Sequence, residues 1–202
     1  MKKRGRPKSK ISEKKEALLL AAEELFRANG YNKVTIDEIC EKAQASKMTF
    51  YRQFRDKTDI ALFLVKKNNL EAKELLVGIF AKAIPFPEKF AVLTELNEQF
   101  HNKMGLLFLE DLISSKDPEI IKGLQSISKT MEKLNFQFIE MGKSEGFLNP
   151  DFKVEFIIYL IEKTRLLFKD PELNTIYPDF SEKVNSIREF FYHGIMSKKK
   201  TK

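Results

Sequence analysis

Apolar residues recur along this chain at intervals of three and four, the spacing of one face of a helix, and no stretch alternates with the period of two that a half-buried strand requires. Leu18, Ala21, Ala22, Leu25 and Phe26 make the first such face. Ser12 is placed to cap it, Glu13 and Glu16 stand in the first turn where the helix dipole favours negative charge, and Gly30 stops it as a C′ residue. Thr35-Ile36-Asp37-Glu38 has the arrangement of a capping box, opening a second helix with the buried stripe Ile36, Ile39, Cys40 and Ala43. Gln44-Ala45 reads as a tight turn, Ser46 as a new N-cap, and Lys47 to Phe54 as a third helix that turns Phe50 and Phe54 inward. Asp56 caps a fourth, running from Lys57 to about Ala83 and ended by Ile84-Pro85. Further helices are expected at about Glu88–Met104, Leu106–Ser115, Pro118–Ser144, Asp151–Phe168 and Ser181–Met196, with Asp117-Pro118 and Asn149-Pro150 as starts and Gly146 as a stop. The pattern predicts an all-α protein.

Charge divides this pattern into parts. Residues 1–57 hold fifteen Lys and Arg against eight Asp and Glu, and the remainder holds twenty-one of each sign, so the whole net charge of +7 lies in the first quarter. A polyanion docked at that end is the natural partner, because neutralising phosphates releases condensed counterions. The expected organisation is a basic arm over 1–11, a three-helix DNA-binding unit over 12–56, a helical bundle for ligand binding and dimerisation over 57–197, and a basic tail over 198–202.

Two short helices joined by a tight turn and braced by a longer one form a helix-turn-helix, whose second helix lies in the major groove of double-stranded DNA. With Phe50 and Phe54 inward, Lys47, Met48, Thr49, Arg52 and Gln53 remain on the outward side as base-facing residues. Arg forks onto guanine, Gln onto adenine, and the methyl groups of Thr or Met meet thymine. Ser46, Arg55, Lys57 and Lys47 itself suit phosphate, and Thr35 stands where amides at the start of the second helix point outward.

The segment LLLAAEELFRANGYNKVTIDEICEKAQASKMTFYRQFRDKTDIALFLV resembles the DNA-binding part of the TetR/AcrR family of bacterial transcriptional regulators, in register over residues 12–66. The resemblance implies that Thr35, Tyr51 and Lys57 hold phosphates while Lys47, Met48, Thr49 and Arg52 face bases. It also implies a ligand-sensing bundle and a homodimer, matched to a palindromic operator with half-sites about 34 Å apart or a multiple of that. The chain departs from the family pattern at Gln44 and Met48, where glycine is frequent, and at Gln53, where histidine is. The operator sequence therefore does not transfer.

Other features extend or narrow this picture. Arg4-Gly5-Arg6-Pro7 is similar to the core of an AT-hook, so Arg4 and Arg6 are expected to add minor-groove or phosphate contacts. Phe156, Ile157, Leu160 and Ile161, then Ile187, Phe190, Phe191 and Ile195, give two broad apolar faces, which a dimer would cover. Phe100, His101, Phe108 and Glu110 are the candidate ligand-pocket residues, for a small, largely apolar or aromatic inducer that releases a repressor from DNA. The alternative is a DNA-binding regulator controlled by a protein partner, or constitutive, without such a pocket. Cys40 belongs to a packed face, and with only two histidines beside it no soft metal cluster is expected. No phosphate loop, nucleophile triad or supported carboxylate pair points to an enzyme, and no cofactor is expected. Without a long apolar segment or a leader-like opening, a cytoplasmic protein with no membrane role is expected.

Overall fold

A computed structural model describes residues 13–167 and 170–196, apart from a few side chains that include those of His101 and Phe191. In chain order the helices are α1 (Glu13–Lys33), α2 (Ile36–Lys42), α3 (Lys47–Gln53), α4 (Lys57–Phe80), α5 (Phe86–Met104), α6 (Leu106–Ile113), α7 (Pro118–Ser144), α8 (Val154–Leu167), α9 (Pro171–Ile176) and α10 (Phe180–Ile195). The described residues form no sheet, only an isolated antiparallel bridge between Leu148 and Met196. The all-α expectation holds.

The caps read from the sequence account for most starts. Thr35 and Glu38 form the reciprocal capping box on α2, Ser46 Oγ accepts from Thr49 N on α3, and Asp56 and Asp117 cap α4 and α7. Ser12, Arg4, Arg6 and the basic tail lie outside the described residues.

Four boundaries and one further helix differ from expectation. Helical geometry breaks at Gly30 (φ 79°, ψ 173°), yet three more residues continue as a last turn. α4 ends at Phe80, short of the proline. α5 begins at Phe86, where Pro85 O accepts from Glu88 N and Lys89 N. Asn149-Pro150 is a turn, with Asn149 Oδ1 accepting from Asp151 N, and the helix waits until Val154. The short α9 was not expected at all, although Asp170-Pro171 repeats the cap-then-proline signal of Asp117-Pro118.

The main core crosses the boundary expected between residues 56 and 57. It joins Leu18, Phe26, Ile39, Phe50 and Phe54 of the first three helices to Ile60 and Leu64 of α4, Phe108 and Leu112 of α6, and Ile120 of α7. A second core surrounds Phe86, whose ring packs 4.6 Å from that of Phe138 and against the bare backbone of Gly142. Nearby, the covered ammonium of Lys89 reaches Phe80 O at 3.4 Å, a cation at the negative end of α4.

Between α1 and α6 the approach is close enough to require glycine. A Cβ on Gly105 (φ 83°) would lie 2.7 Å from Arg27 Cα. One turn on, Phe108 stacks on Phe26 with centroids 4.9 Å apart and planes 2° from parallel. A further turn on, Asp111 accepts from Asn32 N at 2.9 Å and Asn32 Nδ2 at 2.7 Å.

Candidate nucleic-acid interface

α3 is held from behind and bare in front. Phe50 is fully buried and Phe54 nearly so, in contact with each other and, through Phe54, with Phe63 of α4. Burial of rings of this size contributes about 1.5–3 kcal/mol each. On the other side Lys47, Met48, Tyr51 and Arg52 are exposed, with Met48 63% and Tyr51 57% accessible, while Thr49 and Gln53 are half-buried. Arg52 Nη2 lies 3.9 Å from Met48 Sδ, so these two side chains share one patch.

Within this surface several polar groups already have partners. Lys47 Nζ pairs with Asp37 of α2 at 2.7 Å, and that hydrogen bond draws its proton affinity upward. Ser46 Oγ and Thr49 Oγ1 lie 3.0 Å apart. Thr35 Oγ1 donates to Glu38 Oε2 at 2.8 Å. Hydrogen bonds from Thr35, first from its amide and then from its hydroxyl, hold the Glu38 carboxyl below its ordinary value.

Lys57 and Arg55, expected to grip phosphate, are instead engaged in the DNA-free protein. Lys57 Nζ donates to the carbonyls of Tyr31 and Val34, each at 2.8 Å, and of Asn32 at 3.5 Å, and it lies 4.3 Å from the Tyr31 ring centroid. Burial lowers its proton affinity. Three ammonium hydrogens therefore meet three carbonyls where α1 gives way to α2, and Lys57 braces that turn. Arg55 donates through Nε to Asp56 Oδ2 at 2.7 Å and through Nη2 to Glu119 Oε1 of α7. Bonds to Asp56 and then Glu119 strengthen its hold on the proton.

Gln44 occupies the left-handed region at φ 49°, alone among described non-glycine residues, in the turn between α2 and α3. The structure thus explains why glycine suits that position.

Of the ligand-pocket candidates, Phe108 is buried in the α1–α6 joint, Phe100 is half-buried against the same core, and Glu110 is half-buried on α6. The His101 side chain lies outside those described. A cleft of about 580 Å³ opens elsewhere, among α8, α9 and α10, walled by Leu160, Leu167, Ile176, Ile187 and Phe190. Phe100, Phe108 and Glu110 are not among its lining residues. Sequence reading missed both this cleft and the roles of Asp111 and Glu119. The one available signal was Glu110-Asp111 interrupting an apolar run, which does not name a partner 79 residues away.

Residues 18–63, which contain α2, α3 and the turns on either side of them, match the family model described as bacterial regulatory proteins, tetR family. That segment is a DNA-binding region of TetR type. Similarity also runs through most of the length. The chain is 25% identical over 193 residues to the HTH-type transcriptional regulator YdeS of Bacillus subtilis (strain 168), covering 87% of this chain and 88% of that one. It is 33% identical over 72 residues to the HTH-type transcriptional repressor BepR of Brucella suis biovar 1 (strain 1330), covering 36% and 34%. The fold matches that of the transcriptional regulator FadR from Bacillus subtilis, solved in complex with stearoyl-CoA, with a TM-score of 0.62 at 22% identity, covering 89% and 98%. The likenesses support a transcriptional regulator of TetR type, with α2 and α3 as the two helices of its helix-turn-helix. Among the described residues no helix is long and apolar enough to cross a membrane, and no group of His, Cys, Asp or Glu is arranged to hold a metal ion.

Proposed function

We propose that this protein represses transcription by binding a palindromic operator as a homodimer, and that a small, largely apolar or aromatic molecule releases it. The observation that carries the reading is the two-sided α3: its phenylalanines anchor it, and its outward face presents Lys47, Met48, Tyr51 and Arg52. In this reading Arg52 and Gln53 read base edges, Lys47, Met48 and Thr49 line the groove, and Thr35, Ser46 and Tyr51 meet phosphates. Arg55 and Lys57 serve first as braces, and Arg55, with five donors, has hydrogens left for a phosphate. The basic arm with Arg4 and Arg6 adds affinity without being needed for base reading.

Exposed apolar residues on α8, α9 and α10 support the dimer. Phe190 is 84% and Ile176 62% accessible, Leu167 is exposed on the same cleft, and Phe156 and Tyr159 are exposed on α8. A second copy would cover this face and the adjoining cleft. The likeness to a regulator solved with stearoyl-CoA, and to one described as a repressor, supports the small-molecule and repressor parts of the reading. The seating of Phe108 in the core favours placing any effector away from it, nearer the Phe86 core.

Selection from a random duplex pool tests the reading. The wild type should enrich a two-fold palindrome, Arg52→Ala should lose about 1–3 kcal/mol of discrimination at one position in each half-site, and deletion of residues 1–10 should weaken all sequences alike. A pool with no enriched sequence would contradict it.

A further inference from the structure

Two turns bracket the helix-turn-helix, one before α2 and one after α3, and a carboxylate from the same corner of the rest of the molecule holds each of them. Before α2, Asp111 of α6 takes both the backbone amide and the side-chain amide of Asn32. Its carboxylate rests against Gly30, where a Cβ would lie 2.6 Å from Asp111 Oδ2. Gly30 also adopts a backbone conformation essentially closed to other residues. After α3, Glu119 of α7 accepts from Arg55, whose own amide donates to Asp59 at 3.0 Å. Between Asp111 and Glu119 runs only the short corner joining α6 to α7, stiffened by Asp117 as N-cap and Pro118 at the first helical position.

We propose that this corner sets the orientation of the helix-turn-helix, with Asp111 and Glu119 as its positioning residues. The proposal rests on the DNA-binding dimer described above and assigns to these residues the spacing between its two recognition helices. The packing of α1 on α6 and the linkage through α4 hold the body of the unit, whereas the corner holds the turns at either side of α2 and α3. Any displacement of α6 relative to α7 therefore reaches both turns together. Both ties are solvent-exposed and contribute little to stability, so their effect is on orientation. The Tyr31 hydroxyl lies within the same frame, 2.9 Å from Thr58 Oγ1, and its proton is held more tightly by burial and then by the charges of Asp117, Asp56 and Glu119.

The test compares full-length wild type with Asp111→Ala, Glu119→Ala, the double variant, and Glu71→Gln as a control that removes another exposed tie, to Lys103 at 3.1 Å. Each is measured for melting temperature, for amide exchange across both turns without DNA, and for affinity to the pool-selected duplex with and without one base pair added between half-sites. The double variant should melt within about 3 °C of wild type, exchange about tenfold faster in both turns, and lose about tenfold of its spacing discrimination. If it unfolds, Asp111→Asn with Glu119→Gln replaces it, with a smaller change in the same direction. Unchanged exchange, or unchanged spacing discrimination, would overturn the proposal. Were the wild type to enrich no duplex, the DNA reading would fall, and exchange alone would decide whether the corner holds the turns.

Discussion

The two ends of this molecule both turn large side chains toward solvent, but of different kinds. At the amino-terminal end α3 buries Phe50 completely and presents Lys47, Arg52, Tyr51 and Met48, a mixed polar surface suited to base edges and phosphates. At the carboxy-terminal end α8 leaves Phe156 and Tyr159 exposed, and Leu167, Ile176 and Phe190 are exposed at the wall of an apolar cleft. A surface facing DNA must stay hydrated and charged when alone, whereas one facing its own copy gains from being apolar. The contrast teaches that exposure alone does not distinguish partners; the chemistry of what is exposed does.

The largest expected effect tests whether the polar face depends on the packing behind it. Phe50→Ala should destabilise the protein by about 3–5 kcal/mol in denaturant unfolding, with loss of operator binding. Gly30→Ala should cost roughly 1–3 kcal/mol through backbone strain at φ 79° and displacement of Asp111, measured the same way. At the other end, Phe190→Asp should leave monomer stability within about 0.5 kcal/mol, since the ring is 84% accessible, while sedimentation shows dissociation at least about tenfold easier. Gln44→Gly should stabilise by roughly 0.5–1 kcal/mol by relieving a left-handed residue, measured by denaturant unfolding.

The smallest effect is a dependence on pH. Glu38 has a folded value below its ordinary 4.5, so the capping box contributes stability fully present above that pH and lost as pH falls through the lowered value. Amide protection of α2 should weaken in that window in the wild type, and Glu38→Gln should remove the dependence.

The sequence pattern was sufficient for the parts of the fold governed by local rules. Caps at Thr35, Ser46, Asp56 and Asp117 and the inward pair Phe50 and Phe54 follow from neighbours a few residues away, and each has the place expected of it. Asn149-Pro150 and Asp170-Pro171 mark the limit of such rules, since the same dipeptide signal made a turn at one and a helix start at the other. Long-range pairings were not legible. Lys57 and Arg55 read as phosphate ligands because basic residues beside a recognition helix suit that role, but their carbonyl and Glu119 partners depend on the folded path of the chain. Phe108 read as a pocket wall because helical periodicity does not distinguish a cavity lining from a joint, and only Phe26 opposite it does.

The most direct test of the account is whether the two ends act together, measured as the affinity of wild type and Phe190→Asp for the selected palindrome and for the same duplex with one half-site scrambled. Two linked recognition helices should give the wild type about a hundredfold preference for the intact palindrome, and the variant, bound through one helix, should show almost none at protein concentrations where it is monomeric. Equal binding of both duplexes by the wild type, or an undiminished preference in a monomeric variant, would contradict the account.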